Sequence, residues 1–313
     1  MFPRLFILDG RTPKIGGPAQ GWCRLQPVDF SWITSMSMAM PCNLPISCVL
    51  GVDIGWSEFR RSSAACLLSW DDRKITMSLR RFTARQQDVE HALGGIFQGQ
   101  RVRVAALDGP LCSDLSVIGK YRDAEQILTR GLWRHIGKPG QSSSTNGKKL
   151  NAAANAVARL LIRWDAVEEA TYDGAILPVA IAEAFPTSFL GVMLENGFKE
   201  KGRARSDSYY ERLAQKRKAY SLDGLIERLL PGRNFDSDLS SITNHDDRAA
   251  IVCALTALCV SEGQYTSVGG TDGHIVLPPR RVGSLLGIQD WAWQIIGENA
   301  SELPGARLVD CRP

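Results

Sequence analysis

Asp53, Asp108, Glu183 and the pair Asp246–Asp247 lie far apart in the chain, yet each stands where an apolar segment ends or begins. Asp53 closes Val49-Leu50-Gly51-Val52, Asp108 closes Val104-Ala105-Ala106-Leu107, and Glu183 closes Val179-Ala180-Ile181-Ala182. Asp246 and Asp247 open the apolar run Ala249 to Val260. In open α/β sheets, ligands bind in the crevice beyond the carboxyl ends of the strands, so acids placed there can converge. Converging carboxylates repel one another unless a cation lies between them. Such oxygen ligands suit Mg²⁺ or Mn²⁺ beside a phosphate, and the chemistry is hydrolysis of a phosphodiester by an activated water. A few carboxylates from separate elements suffice, because Mg²⁺ retains several waters. The expected metal ligands are Asp53, Asp108, Glu183 and Asp247, with Asp246 as a further catalytic candidate.

Each acid also has a local reading. Asp53 and Asp108 could be turn residues, Asp108 standing directly before Gly109-Pro110. Asn244, Asp246 and Asp247 suit a helix start, where a cap and negative charge are favourable. On that helix Asp247, Ile251, Ala254, Leu255 and Leu258 share one face, so Asp247 extends a buried stripe. The joint placement of the acids after successive apolar elements is what favours chemistry. The four histidines, 91, 135, 245 and 274, lack metal-ligand spacing, and only His245 stands beside a candidate acid.

The elements that must position these acids follow from apolar periodicity. Strands are expected at 47–54, 64–70 and 75–82, with a turn at Asp71-Asp72-Arg73, forming an antiparallel meander. A helix at 85–97 then brings a strand at 102–108 parallel to the first. Residues 109–149 read as an insertion with a helix at 121–133 and a polar, glycine-bearing stretch from Gly137 to Lys149. Further expectations are a helix at 150–169, a strand at 178–185, a helix at 187–196, a charged helical region over 199–229 and a last strand at 274–277. The fold class is therefore α/β: a mixed five-stranded sheet, three antiparallel strands then parallel ones, flanked by helices. That is the order of a ribonuclease H-like fold. The domain spans 47–280, with a Pro- and Gly-rich N-terminal extension at 1–46 and a C-terminal extension at 281–313 that carries Trp291 and Trp293.

Several short motifs resemble the family named domain of unknown function 429, predicted nucleases of the ribonuclease H-like superfamily. They are Gly51-Val52-Asp53 with Gly55-Trp56, Leu107-Asp108-Gly109-Pro110-Leu111, Glu183-Ala184-Phe185-Pro186-Thr187-Ser188-Phe189, and His245-Asp246-Asp247-Arg248-Ala249-Ala250. Asp272-Gly273-His274-Ile275-Val276-Leu277-Pro278 is similar to that family's terminal strand, so the resemblance covers about 48–280. It implies a nuclease whose acids hold divalent metal. Related resolvase-like proteins often carry a second acid three residues after the first on the last helix. Here that position is Ala249, or Ala250 counted from Asp247, which departs from the pattern.

The 313 residues are 44% hydrophobic and 22% charged with a net charge of +4, an ordinary globular composition that neither requires nor excludes a polyanionic partner. The most basic stretch, Lys199 to Tyr220, holds eight basic residues against three acidic ones, with Tyr209, Tyr210 and Tyr220 interleaved. Aromatic rings among cations can stack unpaired bases, although a solvated helix face has the same composition. Lys201, Arg203, Arg205 and Arg217 from this stretch, with Lys148 and Lys149 after the Ser-rich loop, are the expected nucleic-acid contacts, reading structure and not sequence. Eight cysteines without a CxxC fit a reducing cytoplasm. No apolar run approaches the roughly 20 residues of a membrane span, and the short apolar start of the chain is not expected to be an export signal. Two alternatives remain. Asp53-Ile54-Gly55 also resembles the first phosphate loop of ATP-binding phosphotransferases of the sugar-kinase and actin type, for which Gly269 to Gly273 would have to supply a second loop. The departure at Ala249 admits a non-catalytic nucleic-acid-binding module.

Overall fold

Val49, Leu50 and Val52 in β1 (Ser47–Asp53) and Ala64 to Leu68 in β2 (Ser63–Trp70) are buried. Near-continuous apolar runs of this kind form strands covered on both faces. The computed structural model that shows this describes residues 46–97, 99–137, 142–176, 178–200, 202, 204–215, 218–283 and 286–312, so the extension expected at 1–46 lies, apart from Ile46, outside the described residues. β3 (Lys74–Phe82) follows a turn in which Asp71 Oδ1 accepts the Arg73 and Lys74 N–H groups at 2.7 and 2.8 Å. β2 pairs antiparallel with both β1 and β3. Helix α1 (Gln86–Phe97) reverses the chain, and β4 (Val104–Asp108) runs parallel to β1.

The segment after β4 contains α2 (Asp123–Ile127), a 3-10 turn at Gly131–His135 and α3 (Thr145–Arg163), whose first turn is capped by Ser144 accepting from Gly147 N–H at 3.1 Å. β5 (Ile181–Ala184) lies parallel to β4 and is followed by α4 (Pro186–Gly191), α5 (Arg205–Ala214) and α6 (Leu222–Leu229). Then come the two-residue β6 (Asn234–Phe235), α7 (His245–Ser261), β7 (Tyr265–Gly270), β8 (Gly273–Leu277), α8 (Asp290–Ser301) and β9 (Arg307–Cys311).

These strands form one mixed sheet of nine, in the order β6-β3-β2-β1-β4-β5-β8-β7-β9, and not the expected five. The five central strands keep the expected order and directions; the additions lie at the edges. β7 escapes periodicity because Ser267-Val268-Gly269-Gly270 reads as loop, yet it pairs antiparallel with β8 and β9. Gly270 faces Gly273 across a two-residue turn, Thr271-Asp272, and Gly269 and Gly273 sit at φ 156° and 124°, where a side chain would be strained. The stretch considered as a second phosphate loop is thus a tight β-hairpin. Residues 281–313, expected as an extension, supply α8 and the edge strand β9 to the same sheet.

Helix α7 was expected to bury one stripe. Instead every residue from Arg248 to Val260 is buried, because the helix runs between the sheet and the layer made by α4, α5 and α6. Its backbone rests directly on β1. A Cβ added at Gly51 would lie 2.0 Å from Ala254 N and 2.4 Å from Ala250 O, so only glycine permits this approach. Helices α1 and α3 cover the other face, where Gly109 packs on Ala154 and Gly95 on Arg80. Among the described residues no helix is long and apolar enough to cross a membrane.

Candidate functional site

Asp53 and Asp108 are register partners at the carboxyl ends of β1 and β4. Neighbouring strands lie roughly 5 Å apart, and paired residues point to the same face. That face is the one on which Gly51 meets α7, so both carboxylates look towards the N-terminus of that helix. Asn244 caps it, accepting the Asp246 and Asp247 N–H groups at 3.0 and 3.1 Å. Both acids therefore occupy favourable first-turn positions and stand one turn before Ala250, against the strand. The cap is present, and the turn it holds carries Asp246 and Asp247 close enough for their charges to act on Asp53.

The electrostatics are those of negative charge that is only partly compensated. Burial raises the Asp53 carboxyl well above the carboxylate range, and the charges of Asp108, Asp246 and Asp247 raise it further. Burial and Glu183 push Asp108 up to about 7, partly offset by His245. Asp247 is raised by burial and by Asp246, while Arg81 opposes the shift. Asp247 Oδ1 is buried and accepts no hydrogen bond from the described residues. An orphaned carboxylate oxygen beside mutually raised acids is costly, and a cation would relieve both. Cys253, on α7, is a free thiol pushed up by burial and by Asp108 and Asp53. Cys48, Cys66, Cys112, Cys259 and Cys311 are likewise free.

Glu183 departs from expectation. It pairs with Leu107, one residue before Asp108, so it points to the opposite face of the sheet from Asp53 and Asp108. There Arg122 Nη1 and Nη2 donate to its two carboxylate oxygens at 2.7 Å each, and Leu111 N–H donates to Oε2 at 2.8 Å. Arg122 also donates to Glu125 Oε1 at 2.9 Å and to Leu111 O at 2.7 Å, while Ser142 Oγ bonds Glu125. Arg122, Glu125 and Ser142 are almost fully buried. Burial opposes the Arg122 charge, but the two carboxylates outweigh it and push its pKa up. Burial likewise raises Glu183, against the pull of Arg122 and the Leu111 N–H. With both oxygens already engaged, Glu183 is not placed as a third ligand beside Asp53 and Asp108. It ties the segment after β4 to the end of β5.

Of the basic candidates, Lys148 and Lys149 are exposed on the first turn of α3. That helix adjoins the residues just after Asp108, since Asn151 Nδ2 donates to Pro110 O at 2.9 Å. Arg205 is committed to structure, donating to His135 O at 2.6 Å and Gly202 O at 3.3 Å. Lys201, Arg203 and Arg217 lie outside the described residues. Tyr209 and Tyr210 are buried, their hydroxyls donating to Gly197 O at 2.7 Å and Leu239 O at 3.1 Å, so they offer no stacking surface. His245 Nδ1 lies 3.1 Å from Asp207 on α5.

Two residues that sequence reasoning passed over belong to this neighbourhood. Arg81 of β3 is aligned through Ala64 with Asp53 and so shares its face. The partial alternation of β3 carried that signal. Arg122 had no sequence signal, because its partner is 61 positions away.

No protein-family model, curated protein or solved structure matches this chain. Among the described residues, no group of three or more His, Cys, Asp or Glu side chains is set closely enough to form a ready-made cage for a metal ion. The donor set fits a hard cation that keeps most of its waters, for which one or two carboxylates are enough.

Proposed function

We propose that this protein is a metal-dependent nuclease of ribonuclease H-like fold that hydrolyses phosphodiester bonds of nucleic acid. The observation supporting it most directly is the pairing of Asp53 with Asp108 on adjacent parallel strands, on the face where α7 places Asp246 and Asp247. Asp53 and Asp108 would hold Mg²⁺ or Mn²⁺, with Asp247 at the edge of the pocket and Asp246 contributing charge. The bound ion would lower the pKa of a water nucleophile and stabilise the leaving oxygen. Binding of the ion would displace the protons that burial and neighbouring charge favour on Asp53 and Asp108 in the empty site. Exposed Lys148 and Lys149 draw the phosphate backbone towards the adjacent segment. The order β3-β2-β1-β4-β5 at the centre of the sheet supports the fold assignment.

The test is cleavage of labelled DNA and RNA structures, single-stranded, duplex and branched, with Mg²⁺ or Mn²⁺, by the full chain and by Asp53→Asn and Asp108→Asn. Cleavage that needs metal and is lost in both variants supports the proposal. Cleavage undiminished in either removes that residue from the mechanism. A non-catalytic nucleic-acid-binding module is the second reading. It is favoured by Ala249 and Ala250, buried small residues where a further acid would be needed. Binding without cleavage under every metal condition would select it.

A further inference from the structure

The loop joining β1 to β2, residues 54–62, leaves the sheet directly after Asp53 and presents two large aromatic rings to solvent. Trp56 is 52% exposed and Phe59 86% exposed, a costly arrangement in a loop so well tied down. Ser57 Oγ accepts the Arg60 and Phe59 N–H groups at 3.0 and 3.4 Å, and Ser57 O accepts Ala84 N–H at 2.8 Å. Gly55 N–H donates to Ser63 Oγ at 2.9 Å, and Ser62 N–H to Arg60 O at 2.8 Å. The backbone is thus fixed while the rings remain bare.

Cations surround them. Arg60, Arg61, Arg81 and Arg85 are exposed, against the single loop acid Glu58. The Arg85 guanidinium lies 5.7 Å from the Phe59 ring centroid. An apolar patch meant for a protein core would bring aliphatic neighbours and few charges. Rings set among arginines suit a polyanion that carries its own flat faces. Trp56 is three residues from Asp53, so its Cα lies within roughly 11 Å of the Asp53 Cα.

We propose that the β1–β2 loop is a stacking platform for unpaired bases, which makes single-stranded nucleic acid the substrate of the adjacent acidic site. Trp56 and Phe59 stack the bases, and Arg60, Arg61 and Arg85 pair with the flanking phosphates. In a duplex the bases are already stacked on one another and give the rings no face. The inference rests on the nuclease reading for its catalytic consequence, but the binding it describes is measurable without cleavage.

The experiment measures fluorescence anisotropy of a labelled oligothymidylate and of a labelled duplex of equal length. It uses the full-length protein in EDTA and compares wild type, Trp56→Ala, Phe59→Ala, Trp56→Phe and the double variant Arg60→Gln/Arg61→Gln. Each alanine substitution should weaken single-strand binding about tenfold and leave duplex binding nearly unchanged, while Trp56→Phe retains most of the affinity. The arginine double variant should lower the slope of log affinity against log salt by about 1.4 for the single strand. Unchanged single-strand affinity in both alanine variants overturns the proposal, as does an equal loss for duplex. Absence of measurable single-strand binding by wild type also overturns it and leaves the patch as a surface for another protein. Ring-dependent binding with no cleavage on adding metal would uphold the platform and sink the nuclease reading. Cleavage that ignores both rings would do the reverse.

Discussion

The ends of β1, β4 and β5 carry two groups of acids on opposite faces of the sheet, and the chain treats them differently. On the α1–α3 face, Glu183 and Glu125 surround a buried arginine that satisfies them by geometry and charge. On the α7 face, burial and the charges of Asp108, Asp246 and Asp247 raise the Asp53 carboxyl, and one Asp247 oxygen has no donor among the described residues. The first group is closed: every oxygen of Glu183 is used, and nothing more can bind without breaking it. The second leaves its charge only partly offset, and an added cation would relieve it. Acidity alone therefore does not mark a functional site. Compensation within the chain distinguishes a structural tie from a pocket that can take a ligand.

The largest effect is expected where compensation is removed. Arg122→Leu strands Glu125 and Glu183 in the interior and should cost about 3–5 kcal/mol of stability by denaturant unfolding. A variant as stable as wild type would break the comparison. Asp53→Asn and Asp108→Asn should do the opposite. Each should cut nuclease activity by at least about a hundredfold, some 2.7 kcal/mol of transition-state stabilisation. In the absence of metal they should leave the melting temperature unchanged or raised, because each removes a repelling charge. A fall in stability comparable with that of Arg122→Leu would show that these acids, too, are structural.

The third effect is a pH dependence. Asp108 has a folded pKa of about 7, against an unfolded value near 4. A group whose folded pKa is raised stabilises the protein below its unfolded pKa, and that contribution is lost as pH rises through the folded value. Metal-free protein should therefore lose on the order of 3 kcal/mol between about pH 4 and pH 7 from this site, and Asp108→Asn should flatten the curve. Denaturant unfolding across that range, with EDTA present, reads the difference. A profile that is identical for wild type and Asp108→Asn would remove the electrostatic argument. The smallest effect falls on the cap. Asn244→Ala should cost about 1 kcal/mol, seen as a drop of a few degrees in melting temperature. Activity should fall as well, because the cap holds the first turn that carries Asp246 and Asp247.

The central sheet was legible because its information is local. Val49 to Asp53 and Val104 to Asp108 are apolar runs that end in an acid, and the meander between them alternates or is bounded by turns. What escaped was set by distance or by parity. The face chosen by Glu183 depends on a one-residue offset in pairing with β4, and periodicity within its own strand does not contain that offset. Arg122 is placed by contacts 61 positions away. The end of β7 is made of glycines because Gly269 meets the backbone of Gly273 and His274, and the small residues that permit this read as loop. The tyrosines of α5 were misjudged because charges on one helical face hid a buried one, where Tyr209, Tyr210 and Leu213 pack.

The contact between Gly51 and the backbone of α7 has a consequence for how this site can vary. The gap between the strand acids and the helix acids is gauged by main chain against main chain. Position 51 tolerates no side chain: a single methyl there would push the helix away from the strand and draw Asp246 and Asp247 away from Asp53 and Asp108.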